Sequence, residues 1–254
     1  MSVLTRLALT ASYVTSIGGL RKAASEDELR GLAKYLPSVG IIIGIALALI
    51  HLLLRELSCS RELEALIILL SWILITGGIH LDGLMDAADG LFSHRSPEKM
   101  LEIMKDSRVG NFGVISGLMI ILSKYAALLS LPDKSTLTAL LLIPAWARFA
   151  ELYSIASFPY ARENGMGKIW QESSSRSDLL PGAAAPGLFS LAIVFYFKST
   201  NPALLIPLTV LPAIWLSHWI QKILKGQTGD TYGASVEFAE AAGLLLFSLF
   251  QKLL

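Results

Sequence analysis

"YLPSVGIIIGIALALIHLLL", residues 35 to 54, carries no Asp, Glu, Lys or Arg. About 20 apolar residues cross a hydrocarbon core as an α-helix, and this run has that length. The chain around it has 254 residues, is 54% hydrophobic and only 16% charged, and has a mean hydropathy of +0.60. A soluble domain carries about 25% charged residues, so the composition places the fold in a membrane. Working outward, apolar runs recur at 63 to 80, 110 to 131, 135 to 157, 179 to 197, 201 to 220 and 234 to 252. The reading is all-α: a polytopic bundle of about seven transmembrane helices with short amphipathic interfacial helices between them. The fourth run carries Arg148 and Glu151 on one helix face, and the last has Glu237 and Glu240 in its first turns.

Lys and Arg accumulate in cytoplasmic loops, which tests the orientation. Arg6, Arg21, Lys22, Arg30, Lys34, Arg95, Lys99, Lys105, Arg108, Arg162, Lys168, Arg176, Lys222 and Lys225 fall on one side. Only Arg55, Arg61, Lys134, Lys198 and Lys252 fall on the other. The N-terminus is therefore expected in the cytoplasm, and an odd number of spans places the C-terminus outside. The segment 1 to 33 reads as a retained amphipathic stretch without a cleavage site, and 34 to 254 as the transmembrane catalytic core of a single membrane domain. Cys59 is the lone cysteine, so neither an internal disulfide nor a cysteine metal site is available. A net charge of +1 gives no field for nucleic acid.

Polar, glycine-punctuated stretches at 77 to 113, 158 to 178 and 222 to 240 share the side rich in Lys and Arg, and there the chemistry is expected. "GGIHLDGLMDAADGLFSHR" (77 to 95) sets Asp82, Asp86 and Asp89 at i, i+4 and i+7, one acidic stripe if helical. Three carboxylates this close repel, and a bound cation keeps them ionised. All-oxygen ligation selects Mg²⁺ or Mn²⁺ over Zn²⁺. The alternative is an acidic helix end that favours the N-terminal dipole. His80 points away from the stripe on a regular helix and joins it only if Gly77, Gly78 or Gly83 breaks the geometry. His51, His94 and His218 read as ordinary residues.

Further along, Ser96 and Pro97 start a short amphipathic helix. "KDSRVGNFG" (105 to 113) then brings Lys105, Asp106 and Arg108 together. Arginine forks match phosphate oxygens, and Asp106 can complete a metal site; a surface ion pair is the plain alternative. Loop 158 to 176 offers Arg162 and Lys168 to an anion. Loop 224 to 240 offers Lys225 and Asp230, followed by Glu237 and Glu240 on one helix face. Carboxylates with guanidinium and ammonium groups on one side suggest metal-bridged phosphates. No GxxxxGK[ST] and no strand-to-helix GxGxxG is present, which excludes P-loop chemistry.

"HLDGLMDAADG" (80 to 90), "KDSRVGNFG" (105 to 113), "FPYARENGMG" (158 to 167) and "GQTGDTYGASVEFAE" (226 to 240) together resemble the cobalamin synthase family, the adenosylcobinamide-GDP ribazoletransferases. "KYLPSVGIIIG" (34 to 44) resembles the first span of that family. Met85 stands where the pattern has a smaller residue and Gln227 where it has glycine. The resemblance implies a multi-pass cell-membrane enzyme of late cobalamin biosynthesis with its active site on the cytoplasmic face. It implies Mg²⁺-dependent joining of adenosylcobinamide-GDP to α-ribazole or its 5′-phosphate, with GMP released. In that reading Asp82, Asp86, Asp89 and Asp106 hold one or two Mg²⁺, for which Mn²⁺ can substitute. His80, Lys105, Arg108, Arg162, Lys168, Lys225 and Asp230 bind substrate, and Asp89, Glu237 and Glu240 are the candidate bases. Partners are the two small-molecule substrates and the bilayer; a homo-oligomer or an association with other enzymes of the pathway is compatible. "DAADG" alone also resembles the CDP-alcohol phosphotransferases, whose further motif residues are missing here. A transporter using Arg148 and Glu151 is the rival of a different class, without the internal repeat such folds carry.

Overall fold

The structure, a computed structural model, describes residues 1 to 16, 25 to 198 and 201 to 251; Arg21, Lys22 and Lys252 of the charge count lie outside them. Among the described residues there are helices and one isolated β-bridge, and no strand. An amphipathic helix α1 (Val3–Val14) and a short α2 (Glu26–Leu29) precede the long helices. These are α3 (Leu36–Glu56), α4 (Arg61–Thr76), α7 (Asn111–Ser130), α8 (Asp133–Ser157), α10 (Leu179–Phe197), α11 (Asn201–Leu224) and α12 (Gly229–Gln251). Between them lie α5 (Ile79–Leu91), α6 (Pro97–Ile103) and α9 (Met166–Glu172).

Six of these helices are long and apolar enough to span a membrane alone, and α4 with α5 would make a seventh as a bent pair. The second expected span, 63 to 80, is corrected here. Gly77 and Gly78 both adopt left-handed φ, 63° and 68°, which costs glycine nothing and would strain any other residue. The chain turns by 86° at that point, so His80 belongs to α5 and not to the span. The last helix, expected from 234, already begins at Gly229.

Outward faces are apolar, as lipid requires: Leu188, Phe195, Met119, Leu122 and Trp215 are all exposed. With hydrocarbon on the outside, close packing and internal polar contacts must hold the bundle together. Gly40 and Gly44 of α3, four residues apart, meet the α8 backbone. A Cβ on Gly40 would sit 2.4 Å from the Pro144 carbonyl oxygen, and one on Gly44 2.7 Å from that of Leu140. Deeper in, Ser154, Ser217 and Ser235 share hydroxyl contacts of 2.6 and 3.2 Å that join α8, α11 and α12.

Each end of the bundle has its own polar cluster. At the end holding Cys59, His51 Nδ1 lies 2.6 Å from the buried Glu64 carboxylate. Arg61 pairs with Glu64 and Asp133, and Arg55 pairs with Asp133 at 2.9 Å, tying α3, α4 and α8. His51 is thus structural. At the other end, Ser16 closes α1 against α4 through its N–H, which donates to the Ile75 carbonyl at 2.8 Å. Here α6 also sits, started by Ser96 and Pro97 as expected, with Met100 and Met104 buried against Gly90 of α5. The polar stretches of the sequence gather at this second end.

Candidate active site

Glycines set the position of the acids. Where α5 crosses α12, a Cβ on Gly83 would lie 3.0 Å from the Asp230 Cα, and one on Gly233 2.9 Å from the His80 carbonyl oxygen. The two backbones therefore touch, and Asp82 and Asp86 come to stand beside Asp230. A second constraint fixes the partner of Asp230. Ala161 N–H donates to the Gln227 carbonyl (2.7 Å) and Gln227 N–H to the Pro159 carbonyl (2.9 Å), zipping loop 158 to 162 onto loop 226 to 228. That bridge holds Arg162 in an ion pair with Asp230. Gln227 itself is fully buried and satisfied, donating to the Ser217 carbonyl at 2.8 Å and accepting from Thr231 at 2.7 Å.

Asp82 is exposed and Asp86 half-buried, and neither has a hydrogen-bond partner among the described residues. Asp86 feels Asp82, Asp230 and Asp89 as like charges and Arg162 as the opposing one. Asp89 is placed differently. Its carboxylate accepts the N–H groups of Gly110 (2.7 Å) and Gly113 (2.8 Å), so it caps α7, whose own cap residue has no side chain. The expected three-acid grip therefore divides into an open pair and a cap. Among the described residues no three His, Cys, Asp or Glu side chains converge as metal ligands.

The other expected residues are placed as follows. Asp106 and Arg108 pair with each other through contacts of 2.6 to 3.2 Å on an exposed loop. The guanidinium holds the Asp106 carboxyl at about 2, well below the usual range. Lys105 and Lys225 are exposed, Lys225 in a left-handed turn. Lys168 turns back on its own helix, donating to the Glu163 carbonyl at 2.6 Å and pairing with Glu172 at 3.8 Å. Tyr160 faces Arg162, and burial pushes its phenol above the ordinary value.

Glu237 and Glu240, expected as candidate bases, are instead held in a buried ion-pair network. Lys124 of α7 reaches Glu237 at 2.6 Å and Glu240 at 2.5 Å, and stands 5.0 Å over the Trp72 ring. The second Glu240 oxygen takes Arg148 of α8, which is fully buried. Arg148 lies 3.5 Å from His80 Nδ1, and His80 Nε2 lies 3.8 Å from Glu151. Arg148 is thus closed inside ion pairs, which does not suit a translocation path. The glycine break leaves His80 buried, as a link between this network and the acids above it.

Over the network lies a cavity of about 190 Å³. Its walls come from α1 (Tyr13, Val14), α5 (Ile79, His80, Asp82, Gly83), α8 (Glu151), α9 (Met166, Gly167, Trp170) and the start of α12 (Gly229, Asp230, Tyr232). Glu151, Trp170 and Tyr232 were not marked as site residues by the sequence. Glu151 did stand out as a charge within a span; the two aromatics give no sequence signal that separates them from core residues.

A helical membrane bundle that opens polar at one end, with unpartnered carboxylates and a guanidinium above a buried charge network, has the architecture of an integral-membrane enzyme. The chain belongs to the cobalamin-5-phosphate synthase family, whose model matches residues 1 to 248. It is 41% identical over 225 residues to an adenosylcobinamide-GDP ribazoletransferase of a Synechococcus species, covering 88% of this chain and 89% of the relative. Proteins with the same name in Fusobacterium nucleatum and Caldanaerobacter subterraneus are each 34% identical, over 94% and 98% of the chain and 95% and 100% of the relatives. No solved structure matches.

Proposed function

We propose that the Asp82, Asp86 and Asp230 end of the bundle joins adenosylcobinamide-GDP to α-ribazole or its 5′-phosphate. The products are adenosylcobalamin or its phosphate, and GMP. Family membership supplies the reaction. The observation that carries the site is the meeting of α5 and α12 at Gly83 and Gly233, which places open carboxylates beside Arg162. The ribazole hydroxyl oxygen forms a bond to the cobinamide-side phosphorus, the bond from that phosphorus to the GMP oxygen breaks, and the hydroxyl proton passes to a base.

Asp82 and Asp86 suit a hard divalent cation, being oxygen donors without hydrogen-bond partners among the described residues. They would hold Mg²⁺ or Mn²⁺, with Asp230 across from them. When bound, such an ion neutralises charge on the pyrophosphate and on departing GMP. Arg162, already oriented by Asp230, faces the phosphate oxygens with a planar fork. Arg108, on its exposed loop, is a second arm for the same anion. Asp89 keeps the acid helix fixed to α7, and Glu237 and Glu240 keep α12 fixed to α7 and α8. The proton would pass to whichever carboxylate oxygen of Asp82 and Asp86 the cation does not occupy. The excess of Lys and Arg at this end supports a cytoplasmic site and N-terminus.

The test is GMP release from purified protein given adenosylcobinamide-GDP, α-ribazole and Mg²⁺, with and without chelator. GMP formed in step with adenosylcobalamin, and abolished by chelator, is the expected result. CMP release from CDP-diacylglycerol in place of this would transfer the reading to the CDP-alcohol phosphotransferases.

A further inference from the structure

The 190 Å³ cavity contains a feature that the phosphoryl chemistry does not use. Three of the residues lining it each carry a buried polar atom with no hydrogen-bond partner among the described residues: Glu151 Oε2, Tyr232 Oη and Trp170 Nε1. All three residues are at least nine-tenths buried. Leaving a buried polar group unpaired is costly, so three around one cavity mark a place built to be completed by a ligand. Together they offer an acceptor, a hydroxyl of either role and a donor. The other Glu151 oxygen faces His80 at 3.8 Å, which leaves Oε2 as the unpaired one.

Charge decides what kind of ligand fits. Asp82, Glu151 and Asp230 line the cavity, while no Lys or Arg among the described residues does. An anionic phosphate is therefore repelled from its interior, and a neutral group rich in hydroxyl donors is accepted. The volume suits a sugar ring and is far too small for a macrocycle.

Building on the reading above, we infer that this cavity is the subsite for the ribose of the neutral nucleoside acceptor. Glu151 and Tyr232 bind the sugar hydroxyls and Trp170 closes the wall. The attacking hydroxyl is then presented toward Asp82, while the pyrophosphate of the other substrate stays outside, on Arg162.

Initial rates of the full-length protein, with each substrate varied in turn, test this. Tyr232→Phe removes an oxygen that has no hydrogen-bond partner among the described residues, so its melting temperature should equal or exceed that of the wild type. Its KM for α-ribazole should rise about tenfold, the worth of a hydrogen bond, with KM for adenosylcobinamide-GDP unchanged. Glu151→Gln, which keeps the shape and removes the charge, should show the same one-sided rise. Both KM values unchanged, or a shift confined to adenosylcobinamide-GDP, would overturn the subsite while leaving the proposed reaction standing. Absence of GMP release by the wild-type protein would instead overturn the reaction. Calorimetric titration with α-ribazole alone then decides the subsite, and no heat of binding to the wild type would refute it.

Discussion

Replacing Glu240 by Gln separates a structural carboxylate from a chemical one. The substitution keeps volume and removes one negative charge from a fully buried position where Lys124 and Arg148 meet. Lys124 retains Glu237 at 2.6 Å. Arg148 keeps the Pro144 carbonyl at 3.3 Å, the His80 ring at 3.5 Å and at best a neutral amide oxygen at 240, so it is left as a buried cation without a carboxylate in contact. Breaking a buried pair by removing one partner costs about 3 to 5 kcal/mol, because the remaining charge is uncompensated. Exchanging both partners for neutral groups is often close to neutral. Reversible unfolding in mixed micelles should therefore show Glu240→Gln strongly destabilised and the double variant Arg148→Met with Glu240→Gln recovering most of the loss. A single variant that unfolds like the wild type yet releases no GMP would refute this reasoning and return Glu240 to the chemistry.

Asp82→Asn and Asp86→Asn should each lower GMP release by about 100-fold or more at unchanged stability, the scale of losing electrostatic stabilisation of transferring charge; near-normal turnover would remove the pair from the site. Gly83→Ala gains about 1 kcal/mol in helix propensity. Even so, its Cβ, 3.0 Å from the Asp230 backbone, should push α5 off α12 and cut turnover by up to about 100-fold, and unimpaired rates would show that the crossing is not critical. Cys59 lies in the turn between α3 and α4, opposite the site, and is partly exposed. If the site faces the cytoplasm, a membrane-impermeant maleimide should label it in intact cells, and labelling only after lysis would invert the topology.

Hydropathy located most of the spans because each is a local property of about 20 residues. The acid helix was less legible. Glycines 77 and 78 were legible as positions that could break the helix before His80, but the size of the turn is a matter of φ that composition does not carry. The i, i+4, i+7 spacing put Asp89 on the same stripe as Asp82 and Asp86. What separates it from them is the start of α7, more than 20 residues away, where Gly110 and Gly113 present N–H groups. Glu237 and Glu240 look alike from either side of such a decision. Only the register of α7 and α8 against α12 brings Lys124 and Arg148 to them. Arg162 was legible as a loop cation beside glycines, but its pairing with Asp230 depends on the bridge between two distant loops.

The turn at Gly77 also limits how much hydrocarbon the second crossing covers. Helix α4 has 16 residues, a length of about 24 Å at 1.5 Å per residue. A bilayer interior is about 30 Å thick. If α4 makes that crossing alone, the bilayer beside it would thin to meet it, bringing headgroups and water toward the acid helix. Soluble nucleotides would then reach a recessed floor without leaving an aqueous surface, and turnover in vesicles should fall as the acyl chains are lengthened.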